Sequence, residues 1–122
     1  MVAFLALAAP VAASGGVYCQ GDGASVDIAM GHLIVVQVLG AAIEVDGVAY
    51  STGPERGPGT PMIIGQAFGD DDHMMFDFTD PNMETILASV RLDFVKGNED
   101  YPLAGKVAVA GKPAKKISCS AE

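Results

Sequence analysis

The chain has 122 residues, 50% of them hydrophobic, and 7 Lys and Arg stand against 15 Asp and Glu, which gives a formal net charge of −8. This length suits one domain around one core. The acidic balance argues against a nucleic-acid binder, since phosphate contacts need clustered Lys and Arg, and it equally disfavours an anionic membrane surface as partner.

Residues 2–13 form an apolar, charge-free segment that has the length of a signal-peptide apolar region and is too short to span a bilayer as a helix. Val11 and Ala13 place small residues at the minus-three and minus-one positions of a cleavage before Ser14. No Lys or Arg precedes the run, which leaves a buried N-terminal segment as the alternative. We predict a signal peptide over 1–13, a single β domain over 14–122, and a periplasmic or secreted product without membrane insertion.

The only two cysteines, Cys19 and Cys119, lie near the two ends of the remaining chain. An oxidising compartment would join them, and the bridge would fasten the first strand to the last. Closing a loop of about 100 residues is worth at most roughly 4.7 kcal/mol in the chain-entropy model. Two unpaired thiols in a cytosolic protein are the alternative, which depends on the absence of a signal peptide.

Period-two alternation, broken by Gly, Asp and Pro, runs along most of the chain and predicts short antiparallel strands. Residues 25–30 alternate clearly. The run 33–39 is apolar on both sides except for Gln37, which is typical of a central strand or of a strand covered by a loop. Asp46 and Gly47 then separate two alternating runs, and this dipeptide accepts the positive φ of a type I′ hairpin turn.

Residues 51–61 contain three Pro and three Gly, so they predict a projecting loop rather than a helix or a regular strand. A strand over 62–68, a turn over 69–72 and alternation over 74–79 predict a second hairpin. The final predicted strand pair covers 103–110 and 115–120, with Ile117 and Cys119 facing inward.

The segment 83–95 fits two structures. Asp80 and Pro81 could cap a helix whose apolar residues share one face. A strand accounts for the alternation better, with 80–82 as the preceding turn, and is our prediction. Its five inward positions are Ile86, Ala88, Val90, Leu92 and Phe94.

About seven to eight short strands linked by tight turns predict an all-β domain, either a small antiparallel barrel or a two-sheet sandwich, with its termini joined by the disulfide. Small periplasmic inhibitors of lysozyme share the general design of a small barrel with a disulfide. That is an analogy of architecture, since no sequence motif accompanies it.

Asp70, Asp72 and His73 are the metal-ligand candidates of the chain, because hard cations take carboxylate oxygens. Neighbouring side chains at a hairpin turn diverge, however, and the spacing of a calcium loop is lacking. A solvated turn whose Asp residues accept backbone N–H bonds is the preferred interpretation. A metal-dependent enzyme using the turn from Asp70 to His73 stays as one alternative.

Any general base or zinc site would need His32 or His73, the only histidines. No Gly-x-Ser-x-Gly nucleophile elbow occurs in the sequence, and the cysteines are expected to bond to each other. We therefore predict no catalytic residue, no cofactor and no enzymatic activity.

The strongest functional signal is the 51–61 loop. Proline lowers the entropy lost on docking, and Glu55 and Arg56, flanked by Pro54 and Pro58, place charged groups near the loop tip. We predict a binding module that takes a protein partner through this loop or a small apolar ligand in a barrel mouth. The alternatives are a periplasmic inhibitor of an envelope hydrolase such as lysozyme, and a loop that merely connects two strands.

Overall fold

The computed structural model of the protein describes residues 14–31 and 37–121, so the predicted signal peptide and His32 lie outside the described residues. The described residues form strands and turns. The ten strands are β1 (Ser14–Gly21), β2 (Ala24–Gly31), β3 (Val38–Val45), β4 (Val48–Ser51), β5 (Thr60–Pro61), β6 (Ile63–Gly69), β7 (His73–Thr79), β8 (Ile86–Phe94), β9 (Leu103–Val109) and β10 (Lys115–Ala121).

All ten strands belong to one sheet with the order β5-β4-β3-β2-β1-β10-β9-β8-β7-β6. Every pairing is antiparallel except the short parallel pair β4–β5. The sheet curls into a nearly closed barrel. The gap lies between β5 and β6, where Met62 alone joins the two strands. Within residues 14–31 and 37–121, no helix is long and apolar enough to cross a membrane.

The predicted all-β class is confirmed, and the sheet is barrel-shaped, but it has ten strands rather than seven to eight. Two of the ten strands, β5 and β1, show little of the alternation from which strands are predicted. Strand β5 has only two residues, and the three glycines of β1 leave Val17 and Cys19 as its buried side chains.

The predicted disulfide is present. Cys19 and Cys119 are directly opposite each other in the β1–β10 pair, with their Cα atoms 4.0 Å apart. Because this pair stands at the middle of the strand order, the disulfide lies across the barrel from the gap between β5 and β6.

Alternate residues of the strands point inward and form one hydrophobic core. Two phenylalanines of β7 and the residue that links β5 to β6 contribute most to it. The largest fully buried side chains are Phe76, Phe78, Ile28, Ile43, Met62, Leu92 and Leu103.

The hairpin predicted at Asp46 and Gly47 is confirmed. Both residues have positive φ, 50° and 82°, and Val45 pairs with Val48 across the turn. These values match the left-handed conformation that a type I′ turn requires at its two central positions.

The predicted strand over 83–95 is confirmed as β8, but two of its five predicted inward positions are wrong. Ala88, Val90 and Leu92 are buried, whereas Ile86 and Phe94 are 55% and 45% exposed. Both lie at the ends of the strand, and at Ile86 the pairing with β7 is shifted past Leu87, which packs against the core instead.

The turn before β8 uses the chemistry of a helix cap without starting a helix. The Asp80 carboxylate accepts the backbone N–H groups of Glu84 and Thr85, at 2.7 and 2.8 Å. Of the strand predicted over 33–39, Val38 and Leu39 are the first residues of β3 and Gln37 precedes that strand, while 33–36 lie outside the described residues.

Two inward glycines let the sheet curl tightly. A Cβ atom at Gly105 would overlap the carbonyl oxygen of Arg91, and one at Gly21 would overlap that of Lys116. Only glycine permits this approach of neighbouring strands, which is the usual role of a glycine at a barrel corner.

Candidate functional site

The 51–61 loop is folded back on the outer face of β3, which corrects the prediction that it projects. Ser51 is only 4% exposed, and its hydroxyl donates to the carbonyl oxygen of Gly57 at 3.0 Å. Thr52 continues the ladder to β3, because its N–H donates to the Ala41 carbonyl while its Oγ1 accepts the Ala41 N–H, each at 3.0 Å. Hydrogen bonds at its base therefore fix the loop.

The middle of the loop is a tight turn with one glycine that no other residue can replace. The Arg56 N–H donates to the Gly53 carbonyl at 2.9 Å. Gly59 has φ +140°, and a Cβ atom there would lie 2.7 Å from the backbone carbonyl of Ala49. The close approach of the loop to β4 depends on the absence of that atom.

The sequence-predicted partner residues Pro54, Glu55, Arg56 and Pro58 are all exposed on this folded loop. The Arg56 side chain lies over Gly40 of β3, and it lines a crevice of about 260 Å³ together with Pro58 and Tyr18. Tyr18 projects from β1 and is 53% exposed. We call this surface, made of Tyr18, Pro54, Glu55, Arg56 and Pro58, the loop face.

The predicted metal candidates take part in local hydrogen bonds at the β6–β7 turn. Asp70 Oδ1 accepts the N–H groups of Asp72 and His73 at 2.8 and 2.7 Å. These backbone hydrogen bonds lower the pKa of Asp70. His73 Nδ1 lies 2.6 Å from Asp93 Oδ1 of β8, and this hydrogen bond raises the pKa of His73.

Asp93 is the one member of this turn cluster that the sequence did not indicate, since it is 20 residues from His73. The β7–β8 register pairs the two residues directly. Among the described residues, no group of three His, Cys, Asp or Glu side chains could hold a metal ion.

A second concave surface, with a volume of about 700 Å³, lies on the outer faces of β1, β10, β9 and β8. We call it the outer groove. Its lining includes the small residues Ala104, Ala108, Ala114 and Ser118, the cationic residues Arg91, Lys106 and Lys116, and one carboxylate, Asp93.

The three cations of the outer groove form a single row across neighbouring strands. Arg91 of β8 is directly opposite Lys106 of β9, which is directly opposite Lys116 of β10. They are three of the 7 Lys and Arg in the chain. Sequence alternation places each of them on the outer face, but only the register of the folded sheet brings them together.

One end of the row is neutralised by a buried carboxylate. Asp77 points to the outer face of β7 yet is only 4% exposed. Arg91 Nη1 lies 2.9 Å from Asp77 Oδ1, and Arg91 Nη2 donates to Asp77 Oδ2 at 3.1 Å. Gln66 also donates to Oδ2 from β6. Arg91 is therefore held over β7, and the lysines remain as the outer groove's other cations.

The described methionines do not gather at one site, since Met62 is buried in the core whereas Met83 is 64% exposed.

Comparisons with protein families, curated proteins and solved structures find no match for this chain.

Proposed function

We propose that this protein is a binding module, without chemistry of its own, that holds a protein partner on the loop face. The observation that carries the proposal is the fastened loop: Thr52 is hydrogen-bonded to Ala41 of β3, the Ser51 hydroxyl ties Gly57 to the base of the loop, and Arg56 and Pro58 stay exposed beside Tyr18.

A fixed loop favours binding because little conformational entropy remains to be lost when a partner docks. The proline residues at 54, 58 and 61 restrict φ further. A flexible surface loop of the same length would have to order on binding, which weakens affinity.

The side chains of the loop face belong to the types that dominate binding energy at protein interfaces. Arg and Tyr are enriched among the residues whose truncation costs most. Arg56 and Tyr18 come from distant parts of the sequence and meet at one crevice of about 260 Å³. A partner side chain inserted there would contact both.

We further propose that the protein works in the periplasm or outside the cell after removal of residues 1–13. The Cys19–Cys119 disulfide supports this location, because disulfides persist in oxidising compartments.

The test is photo-crosslinking in the native host, with a photoreactive amino acid in place of Glu55. Glu99 is the matched control, since it is also an exposed glutamate but lies between β8 and β9. We expect a discrete protein adduct from position 55 that is absent from position 99 and is lost when Arg56→Ala is added. The proposal is wrong if position 55 gives no adduct, or the same adducts as position 99.

A further inference from the structure

We propose that the outer groove is a second, independent site, which binds a small amphiphilic anion. A single carboxylate head would lie between Lys106 and Lys116, and the apolar body would lie along Ala108 and Ala114, which are on the same side of the lysine row. This site uses none of the five residues of the loop face, and neither proposal depends on the other.

The arrangement of the lysines is the first support. Like charges directly opposite each other on neighbouring strands destabilise a sheet. Lys106 and Lys116 nevertheless occupy directly opposed, outward positions, and both are exposed. An anion placed between the two ammonium groups would remove this repulsion, so binding would relieve an unfavourable feature of the free protein.

The second support is that Asp93, the carboxylate that lines the outer groove, and Asp77, the partner of Arg91, are both already engaged. Asp77 is paired with Arg91, and Asp93 is hydrogen-bonded to His73. The remaining lysine ion pair joins Lys115 to Asp46, and Lys115 is not among the residues that line the groove. Over residues 14–31 and 37–121, no carboxylate oxygen lies within 4.0 Å of the Lys106 or Lys116 ammonium group.

The size and lining of the outer groove favour a ligand that has an apolar part. Its volume of about 700 Å³ falls within the range of small-molecule sites. The floor on one side of the lysines carries the methyl groups of Ala108 and Ala114, which offer apolar contact and no hydrogen bond. A bare inorganic anion would leave this floor in water, whereas an alkyl chain would cover it and gain hydrophobic energy.

The charge of the whole chain favours a ligand with one charge over a polyanion. A net charge of −8 repels an extended polyanion over its full length. A single carboxylate interacts with the local row of cations and carries little charge elsewhere. A nucleic acid or an anionic polysaccharide is therefore a poor fit.

The probe for this proposal is octanoate at monomeric concentrations, followed by backbone amide shifts in NMR spectra of the full protein. Acetate supplies the head alone, and octan-1-ol supplies the body alone. We expect saturable octanoate shifts that centre on β9 and β10, with acetate and octan-1-ol binding at least about tenfold more weakly, because each forgoes one class of contact.

The variant Lys106→Gln/Lys116→Gln keeps the length of both side chains and removes their charge. It should lose at least about tenfold in octanoate affinity. The control Lys96→Gln/Lys112→Gln removes the same charge outside the groove and should bind as the wild type does. Because the substitution relieves a repulsion, the thermal midpoint of the Lys106/Lys116 variant should not fall, which separates lost binding from lost folding.

A second variant tests the floor. Ala108→Leu adds bulk to an outward position and should weaken octanoate binding while acetate binding stays unchanged. The proposal is overturned if octanoate causes no saturable shifts, or shifts that centre elsewhere. It is equally overturned if acetate binds as tightly as octanoate, or if the control variant loses as much affinity as the Lys106/Lys116 variant.

Discussion

Asp77 shows how one residue can contradict the pattern of its strand. The alternation of β7 places it on the outer face, where a carboxylate would normally be solvated. Burial alone would raise the pKa of Asp77, but hydrogen bonds from Arg91, Gln66 and Ser89 outweigh that effect and hold the pKa below its usual value. The carboxylate therefore stays charged in a nearly dry position.

The substitution Asp77→Asn should lower the free energy of unfolding by about 1–2 kcal/mol at pH 7, since it weakens a charge-assisted network while Arg91 remains half exposed and can rehydrate. A lowered pKa in the folded state stabilises the protein above the unfolded pKa of about 3.9, and this contribution is lost as pH falls through the folded pKa. The difference between wild type and variant should therefore shrink towards pH 2 in urea unfolding.

The matched control is Asp71→Asn, which removes an exposed carboxylate of the neighbouring turn. It should leave stability unchanged within about 0.5 kcal/mol. An equal loss in both variants, or a difference for Asp77→Asn that persists at the lowest pH, would contradict this role.

At the scale of single elements, local chemistry was readable from the sequence. The Asp46-Gly47 turn, both predicted hairpins and the strand nature of β8 follow from side-chain period and turn residues over a few positions. The course of the 51–61 loop does not, because it depends on two hydroxyls: that of Thr52, which bonds to Ala41 of β3, and that of Ser51, which bonds to Gly57 of the loop itself.

Ser51→Ala should free the loop without unfolding the barrel. The lost hydroxyl removes the hydrogen bond from Ser51 to the Gly57 carbonyl, which ties the middle of the loop to its base. We expect trypsin to cleave the peptide bond after Arg56 about tenfold faster in this variant. Loss of the hydrogen bond lowers the free energy of local opening by roughly 1 kcal/mol or more, and local opening exposes the peptide bond to the protease.

Products are best separated after reduction, because the disulfide spans residue 56 and keeps the fragments together. Ser118→Ala, on the exposed side of β10, is the control and should be cleaved at the wild-type rate. If Ser51→Ala is no more sensitive than Ser118→Ala, the hydroxyl does not hold the loop.

At the scale of the whole molecule, the disulfide and the gap between β5 and β6 lie on opposite sides of the barrel. The bond joins β1 to β10 at the middle of the strand order, and the gap between β5 and β6 is crossed by the chain at Met62. A sequence with two cysteines near its ends leaves one possible pairing, so this feature was predictable.

Replacing both cysteines, Cys19→Ala/Cys119→Ala, should lower the free energy of unfolding by up to about 4.7 kcal/mol, because the unfolded chain regains the freedom of a loop of roughly 100 residues. Urea unfolding with and without reductant measures it. Reductant should destabilise the wild type and leave the variant unaffected. A reduced wild type as stable as the oxidised one would contradict the stabilising role assigned to this disulfide.

The outer groove could not be predicted from the sequence, and the reason is register. Arg91, Lys106 and Lys116 lie on three strands, and their alignment in one row depends on how β8, β9 and β10 pair. A shift of one residue in any pair would send alternate side chains to the opposite face. The same holds for Tyr18 and Arg56, whose meeting requires the packing of a loop on three strands.

Binding of the partner captured at position 55 tests the central functional claim most directly. Calorimetric titration of the wild type, Arg56→Ala, Tyr18→Ala and Lys96→Ala with that partner gives four dissociation constants under one condition. We predict that the first two substitutions each weaken binding about tenfold or more, while Lys96→Ala binds as the wild type does. Wild-type affinity in both Arg56→Ala and Tyr18→Ala would contradict the assignment of the loop face.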